Sequence, residues 1–207
     1  MKYLAFFIFV LLFSCTDKST DSRNDKTSIP DNILPLKIGN EWTYYKYSPS
    51  NITSKTSYSF KCIKDTMINY EIWFVFEFIH NDSVSILGDW GPAPAVGSYR
   101  YYTNRPDGVY WGGFDNDSLF KQFILFPKDG QKHKVMDAYV YFKTKIQIQT
   151  SMQVFETYQF IFELGDKPNA IISYLAPGIG LVFSESSDDI NSNVIKGVYN
   201  LKDCTIK

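Results

Sequence analysis

Residues 139–149, Tyr-Val-Tyr-Phe-Lys-Thr-Lys-Ile-Gln-Ile-Gln, alternate apolar and polar side chains almost without interruption. Val140, Phe142, Ile146 and Ile148 fall on one side of an extended chain, and Lys143, Lys145, Gln147 and Gln149 on the other. A period of two marks a strand with one face packed and one face wet. The period recurs in residues 70–79 (YEIWFVFEFI), where Tyr70, Ile72, Phe74, Phe76 and Phe78 share a face. The opposite face there is mixed: Glu71, Trp73, Val75, Glu77 and Ile79. Aromatics on both sides suit a central strand or a sheet curling over an apolar cavity, and core packing is the commoner reason for them. Residues 153–164 repeat the pattern with Val154, Tyr158, Phe160 and Phe162 inward. Turn residues separate the runs, at Ser48-Pro49-Ser50-Asn51, Arg105-Pro106-Asp107-Gly108, Lys128-Asp129-Gly130 and Pro177-Gly178. No stretch of twelve residues shows convincing helical spacing. The reading is all-β: a single antiparallel domain of long strands, a curved open half-barrel or a sandwich.

The 207 residues suit one domain with a real core. Lys and Arg number 21 against 22 Asp and Glu, which excludes a basic nucleic-acid footprint and a polybasic membrane patch. Aromatic residues make up 17%, far above what a disordered chain carries.

Residues 1–14, MKYLAFFIFVLLFS, have one Lys and then an apolar run from Leu4 to Phe13. That run is too short for ~30 Å of hydrocarbon and fits the apolar region of a secretory signal. Leu12-Phe13-Ser14-Cys15 resembles a bacterial lipobox. The resemblance implies that residues 1–14 are removed and that Cys15 is acylated and becomes the first residue of the mature chain. Several acyl chains would hold it on a membrane, each buried CH₂ contributing about 0.8 kcal/mol. Thr16 follows, not the aspartate of inner-membrane retention, which leans the location towards the outer membrane, with the domain in the periplasm or at the cell surface. The mature formal charge would be 20 − 22 = −2. Residues 16–33 contain no aromatic and are rich in Ser, Thr, Asp, Asn and Lys, so residues 15–33 read as a flexible tether and 34–207 as the folded domain.

Cys62 and Cys204 then remain. An even pair in an oxidising envelope permits a disulfide, and two separate buried thiols are the alternative. There is no close Cys/His cluster of the kind zinc needs, and no metal or cofactor is expected.

Leu34-Pro35-Leu36-Lys37-Ile38-Gly39-Asn40-Glu41-Trp42-Thr43-Tyr44 resembles the opening "PL-x-x-GN-x-W-x-Y" of a broad group of uncharacterised bacterial envelope lipoproteins. Asp107-Gly108-Val109-Tyr110, Leu125-Phe126-Pro127 with Gly130, Phe155-Glu156-Thr157-Tyr158 and Ala176-Pro177-Gly178-Ile179-Gly180-Leu181-Val182 are similar to later phrases of that group, in the same order. The resemblance implies an all-β envelope lipoprotein and no particular activity. Physically the phrases look structural. Gly39-Asn40 offers a turn before Trp42, and Gly178 and Gly180 suit positive φ in a tight connection.

No G-x-S-x-G, H-E-x-x-H, C-x-x-C or phosphate-loop pattern is present, so the protein is read as non-enzymatic. His80 and His133 are the only imidazoles, both beside turn or rim residues. Asp115-Asn116-Asp117-Ser118 carries hard oxygens but lacks the Gly and distal Glu of an EF-hand loop. Asp65-Thr66-Met67, Asp82-Ser83-Val84 and Asp117-Ser118-Leu119 resemble O-glycosylation acceptors of some Gram-negative lineages and are expected in loops. The most unusual stretch is Gly88 to Gly97 with Trp90, followed by Tyr99, Arg100, Tyr101 and Tyr102. Trp90, Tyr99, Arg100 and Tyr101 form a candidate ligand loop, able to stack on a sugar ring or a peptide. The functional expectation is a membrane-anchored module binding a hydrophobic or glycan ligand of the envelope. The alternative is a structural or assembly partner of an envelope protein complex. A cavity above ~300 Å³ on the concave face would favour the first, and a solid core with a flat exposed apolar patch the second.

Overall fold

The computed structural model describes residues 28–78, 99–114, 119–164, 170–187 and 195–207. Cys15, His80, Trp90, Asp82-Ser83-Val84 and Asp115-Asn116-Asp117-Ser118 lie outside them.

Twelve strands follow one another: β1 (Glu41–Ser48), β2 (Asn51–Ile68), β3 (Glu71–Phe78), β4 (Tyr99–Arg105), β5 (Gly108–Phe114), β6 (Phe120–Pro127), β7 (His133–Val135), β8 (Ala138–Gln149), β9 (Val154–Leu164), β10 (Ala170–Ala176), β11 (Gly180–Ser187) and β12 (Ile195–Thr205). They form one sheet in the order β6-β5-β4-β3-β2-β1-β12-β11-β10-β9-β8-β7, every neighbour antiparallel. The first and last strands meet in the middle, where Trp42 faces Cys204 and Tyr44 faces Leu201. The sheet curls until its edges approach, β6 lying beside β7 and β8. Phe126 of β6 reaches across the interior to Phe160 and Phe162 of β9, with ring centroids 5.0 and 5.9 Å apart. The result is a nearly closed barrel, the half-barrel expectation carried further, and not a sandwich.

Aromatic side chains pack the middle of the barrel. Trp42, Tyr44, Phe60, Phe76, Tyr102, Phe126, Phe160 and Phe162 are all within 1% of complete burial. Trp42 stacks on Phe60 at 5.0 Å and its Nε1 donates to the Ile179 carbonyl at 2.6 Å. Tyr44 donates its hydroxyl to the Leu181 carbonyl at 2.8 Å. These two bonds fasten the β10–β11 turn onto the middle of the sheet, and Gly180, at φ 92, leaves room for Leu34 and Trp42 beneath it.

Strand direction sorts the connections to two ends. One end, called proximal here, carries the β2–β3, β4–β5, β6–β7, β8–β9 and β10–β11 turns and both ends of the described chain. Every family-like phrase comes to it. Asn40 donates to the Pro35 carbonyl and accepts from the Lys207 amide, and Asn104 donates to the Leu34 carbonyl. The Lys128 amide donates to the Asp107 carbonyl. The phrases therefore close one mouth of the barrel, a structural job.

The expected tether ends too late. Ile29 is 6% exposed, Ile33 is fully buried, the Gly178 amide donates to the Asn32 carbonyl, and Lys128 pairs with Asp31 at 3.1 Å. Two isoleucines four apart in a polar run give no periodic signal, yet they plug the proximal mouth. Two further expectations change. Asn69 and Tyr70 have φ of 51° and 63°, a two-residue hairpin turn, so Tyr70 stands fully exposed instead of lining the face of β3. In β8 the register shifts between Phe142 and Thr144, and the bulge turns Lys145, not Ile146, to the side of Phe142. Asp65-Thr66-Met67 lies inside β2 and not in a loop.

Cys62 and Cys204 are free thiols. Cys62 sits on β2 next to the Lys61–Glu41 pair, Cys204 sits on β12 opposite Trp42, and β1 runs between them. Two strand spacings are ~9.6 Å, beyond the ~7 Å a disulfide spans. The bridge is thus corrected to two separate thiols. Burial, with Asp65 adding, pushes the Cys62 thiol up to about 12, and burial also raises Cys204. At pH 8 the Cys62 thiol therefore stays protonated. A Cys15→Ala chain unfolded without reductant is expected to titrate two thiols, whereas the folded chain resists thiol reagents at Cys62. A count of zero on unfolding would show that the pair is oxidised.

Candidate functional site

Alternation along β4 divides the candidate ligand cluster. Tyr99, Tyr101, Thr103 and Arg105 face out of the barrel, while Arg100 and Tyr102 face in. Arg100 is buried with its guanidinium 5.0 Å from the Trp111 ring centroid. Residues 99–102 are strand and not loop, so Arg100 is removed from the candidate site and Tyr99 and Tyr101 stay.

On the outside these tyrosines join residues from three other strands. Trp73 of β3, Tyr101 of β4, Phe114 of β5 and Phe120 of β6 form one aromatic cluster across the sheet. Phe120 meets Trp73 at 4.8 Å and 78°, Tyr101 at 5.7 Å and Phe114 at 5.1 Å; Tyr101 meets Phe114 at 5.6 Å. Edge-to-face contacts of this kind are each worth about 0.5–1.5 kcal/mol beyond area burial. Gly112 makes the arrangement possible: a Cβ there would collide with the Phe120 ring and touch Trp73. Trp73 ends up 1% exposed on the outer face of the barrel, covered by Phe120, whereas Phe114 and Tyr99 remain 54% and 50% exposed.

A polar clamp bounds this platform on its proximal side. Arg105 donates from Nε and Nη2 to Glu71, and from Nη2 to Gln122 at 2.7 Å. Its guanidinium lies 4.1 Å from the Tyr110 centroid and 5.7 Å from that of Trp73. The Arg105 hydrogen bonds hold the Glu71 carboxyl below its ordinary range. Glu71 thus stays ionised and paired at neutral pH, which suits a fixed border better than acid–base work. The platform itself is apolar, with Phe114 and Tyr99 exposed beside buried Trp73.

A second concavity lies at the proximal rim. Lys145, Gln147, Glu156, Thr157, Tyr158 and Pro177 enclose an open cleft of ≈ 370 Å³. Lys145 sits 4.9 Å from the Tyr158 ring centroid, and the Tyr158 hydroxyl donates to the Ser28 carbonyl at 3.4 Å. The cleft is at the mouth and not on the packed concave face.

Among the described residues no group of three or more His, Cys, Asp or Glu could hold a metal. His133 Nε2 is 2.9 Å from both Asp129 oxygens, a paired side chain at the start of β7. Sequence reasoning missed Trp73, Phe114 and Phe120 as a surface unit. The Gly112-Gly113 pair before Phe114 was the available signal, since glycine inside a strand marks close approach.

No family model matches the sequence, and no curated protein matches it. Two solved structures resemble the fold. One is a "putative lipoprotein" from Parabacteroides distasonis, with TM-score 0.49 and 10% identity, over 84% of this chain and 98% of that one. The other is a "putative exported protein with YmcC-like fold" from Bacteroides fragilis, with TM-score 0.48 and 11% identity, over 83% of this chain and 97% of that one.

Proposed function

We propose that this chain is a lipid-anchored envelope protein, held by acylated Cys15, whose β domain works without catalysis as a docking module for a protein partner. The observation that carries the reading is the outer aromatic platform. Phe114 projects from a base of Phe120, Tyr101 and Trp73 with exposed Tyr99 on the same face, while buried aromatics pack the middle of the barrel. An exposed apolar patch on a packed aromatic base favours a protein interface over an enclosed small-molecule site. The rim cleft supports a second reading, a small hydrophobic or glycan ligand in the cleft that Lys145 and Tyr158 line.

Photo-crosslinking in the native envelope tests the choice. A crosslinking residue at Phe114 is expected to give one discrete protein adduct, and one at exposed Tyr70 none. Equal labelling at both positions, or none at either, removes the docking reading. Native mass spectrometry of the protein purified from its host addresses the cleft: a co-purified small molecule that is lost in Tyr158→Ala supports the second reading, and a clean mass removes it. Cys15→Ala should release the protein from the membrane fraction. If it stays as firmly bound, the anchor is wrong.

A further inference from the structure

We infer that the domain stands on its anchoring membrane by the proximal end, so that the Tyr99–Phe114–Phe120 platform is carried outermost and meets its partner from the aqueous compartment, not from the bilayer. The inference rests on the lipid anchor at Cys15 and deepens the docking reading. Its ground is where the described chain begins. Ser28 lies against Tyr158 at the rim cleft, Asn32 bonds Gly178, and Asp31 pairs with Lys128, all at the proximal mouth. Ile29 and Ile33 are buried there, so the chain cannot leave from elsewhere without uncovering two isoleucines.

From Ser28 back to Cys15 is 28 − 15 = 13 residues, which limits the anchor to within ~45 Å of Ser28. The chain to the anchor therefore leaves from the proximal end, and the proximal turns are the ones nearest to it. The platform belongs to the other end. Tyr99 opens β4, Phe114 closes β5 and Phe120 opens β6, all on the side of the β1–β2 turn. Strand β1 alone carries that turn roughly 20 Å farther from the proximal mouth, allowing for barrel tilt. An apolar patch placed there is lifted away from lipid. A patch meant to sink into the bilayer would lie beside the anchor.

Energy transfer measures the orientation. The mature acylated chain, with Cys204→Ser to leave buried Cys62 as the only other thiol, is labelled with a donor at Gln131→Cys in the β6–β7 turn or at Ser50→Cys in the β1–β2 turn. It is bound to phosphatidylcholine vesicles carrying an acceptor on the lipid headgroup. Transfer from position 131 is expected to exceed that from position 50 by about twofold or more, given their separation along the barrel. Equal transfer, or stronger transfer from position 50, overturns the orientation while leaving the anchor intact. Protein that stays in solution in both cases overturns the anchor, and the inference with it.

Discussion

Replacing Trp42 by Ala is expected to cost about 4 kcal/mol, a third or more of the whole stability of an ordinary domain. The side chain is fully buried between Phe60 at 5.0 Å and Phe76 at 5.8 Å, so truncation empties the centre of the barrel. It also strips the Ile179 carbonyl of its donor at 2.6 Å, leaving the Tyr44–Leu181 bond alone to tie the β10–β11 turn to β1. An orphaned buried acceptor adds to the cavity cost. In thermal unfolding followed by far-UV circular dichroism, Tm should fall by roughly 10 °C or more. Trp42→Phe keeps a ring against Phe60 but loses the N–H, and about half of the loss should return. A Trp42→Ala chain as stable as the parent would mean that Trp42 is not the pivot of the proximal closure.

Ile33→Ala is the second large effect, expected at about 2–4 kcal/mol. A residue in a solvated tether would change stability by no more than ~0.5 kcal/mol when shortened to Ala. Ile33 has no exposure, and its amide donates to the Pro30 carbonyl at 3.2 Å in the turn that lays the segment over the mouth. Urea unfolding of the two chains separates the alternatives directly. Amide exchange at Gly178, whose N–H donates to the Asn32 carbonyl, should speed up in the variant if the plug loosens. A null result would return the start of the domain to Leu34.

What could be read ahead of the structure was what depends on neighbours in the chain. The alternation of residues 70–79, 139–149 and 153–164 identifies strands, and Gly178 and Gly180 take the positive φ expected of them. Errors arose where one residue changes the count. The bulge beside Lys143 reverses the faces of Ile146 and Ile148, and the two-residue turn at Asn69 and Tyr70 removes Tyr70 from its strand. Arg100 was grouped with Tyr99 and Tyr101 by proximity in sequence, although adjacent strand residues point to opposite faces.

The candidate site was less legible than the fold. Trp73, Tyr101, Phe114 and Phe120 come from four strands, and nothing local says that Gly112 clears a place for one ring over another. Likewise Ile29 and Ile33 look like stray apolar residues until the barrel has a mouth for them to fill. The sequence by itself determined that the chain is all-β with an aromatic core, because a two-residue period leaves a strand one way to bury its apolar face. Only the tertiary structure decided that the sheet curls nearly closed, that Cys62 and Cys204 stand apart, and that the outer platform exists. Those outcomes depend on which strands become neighbours, and pairings such as β1 with β12 join residues more than 150 positions apart.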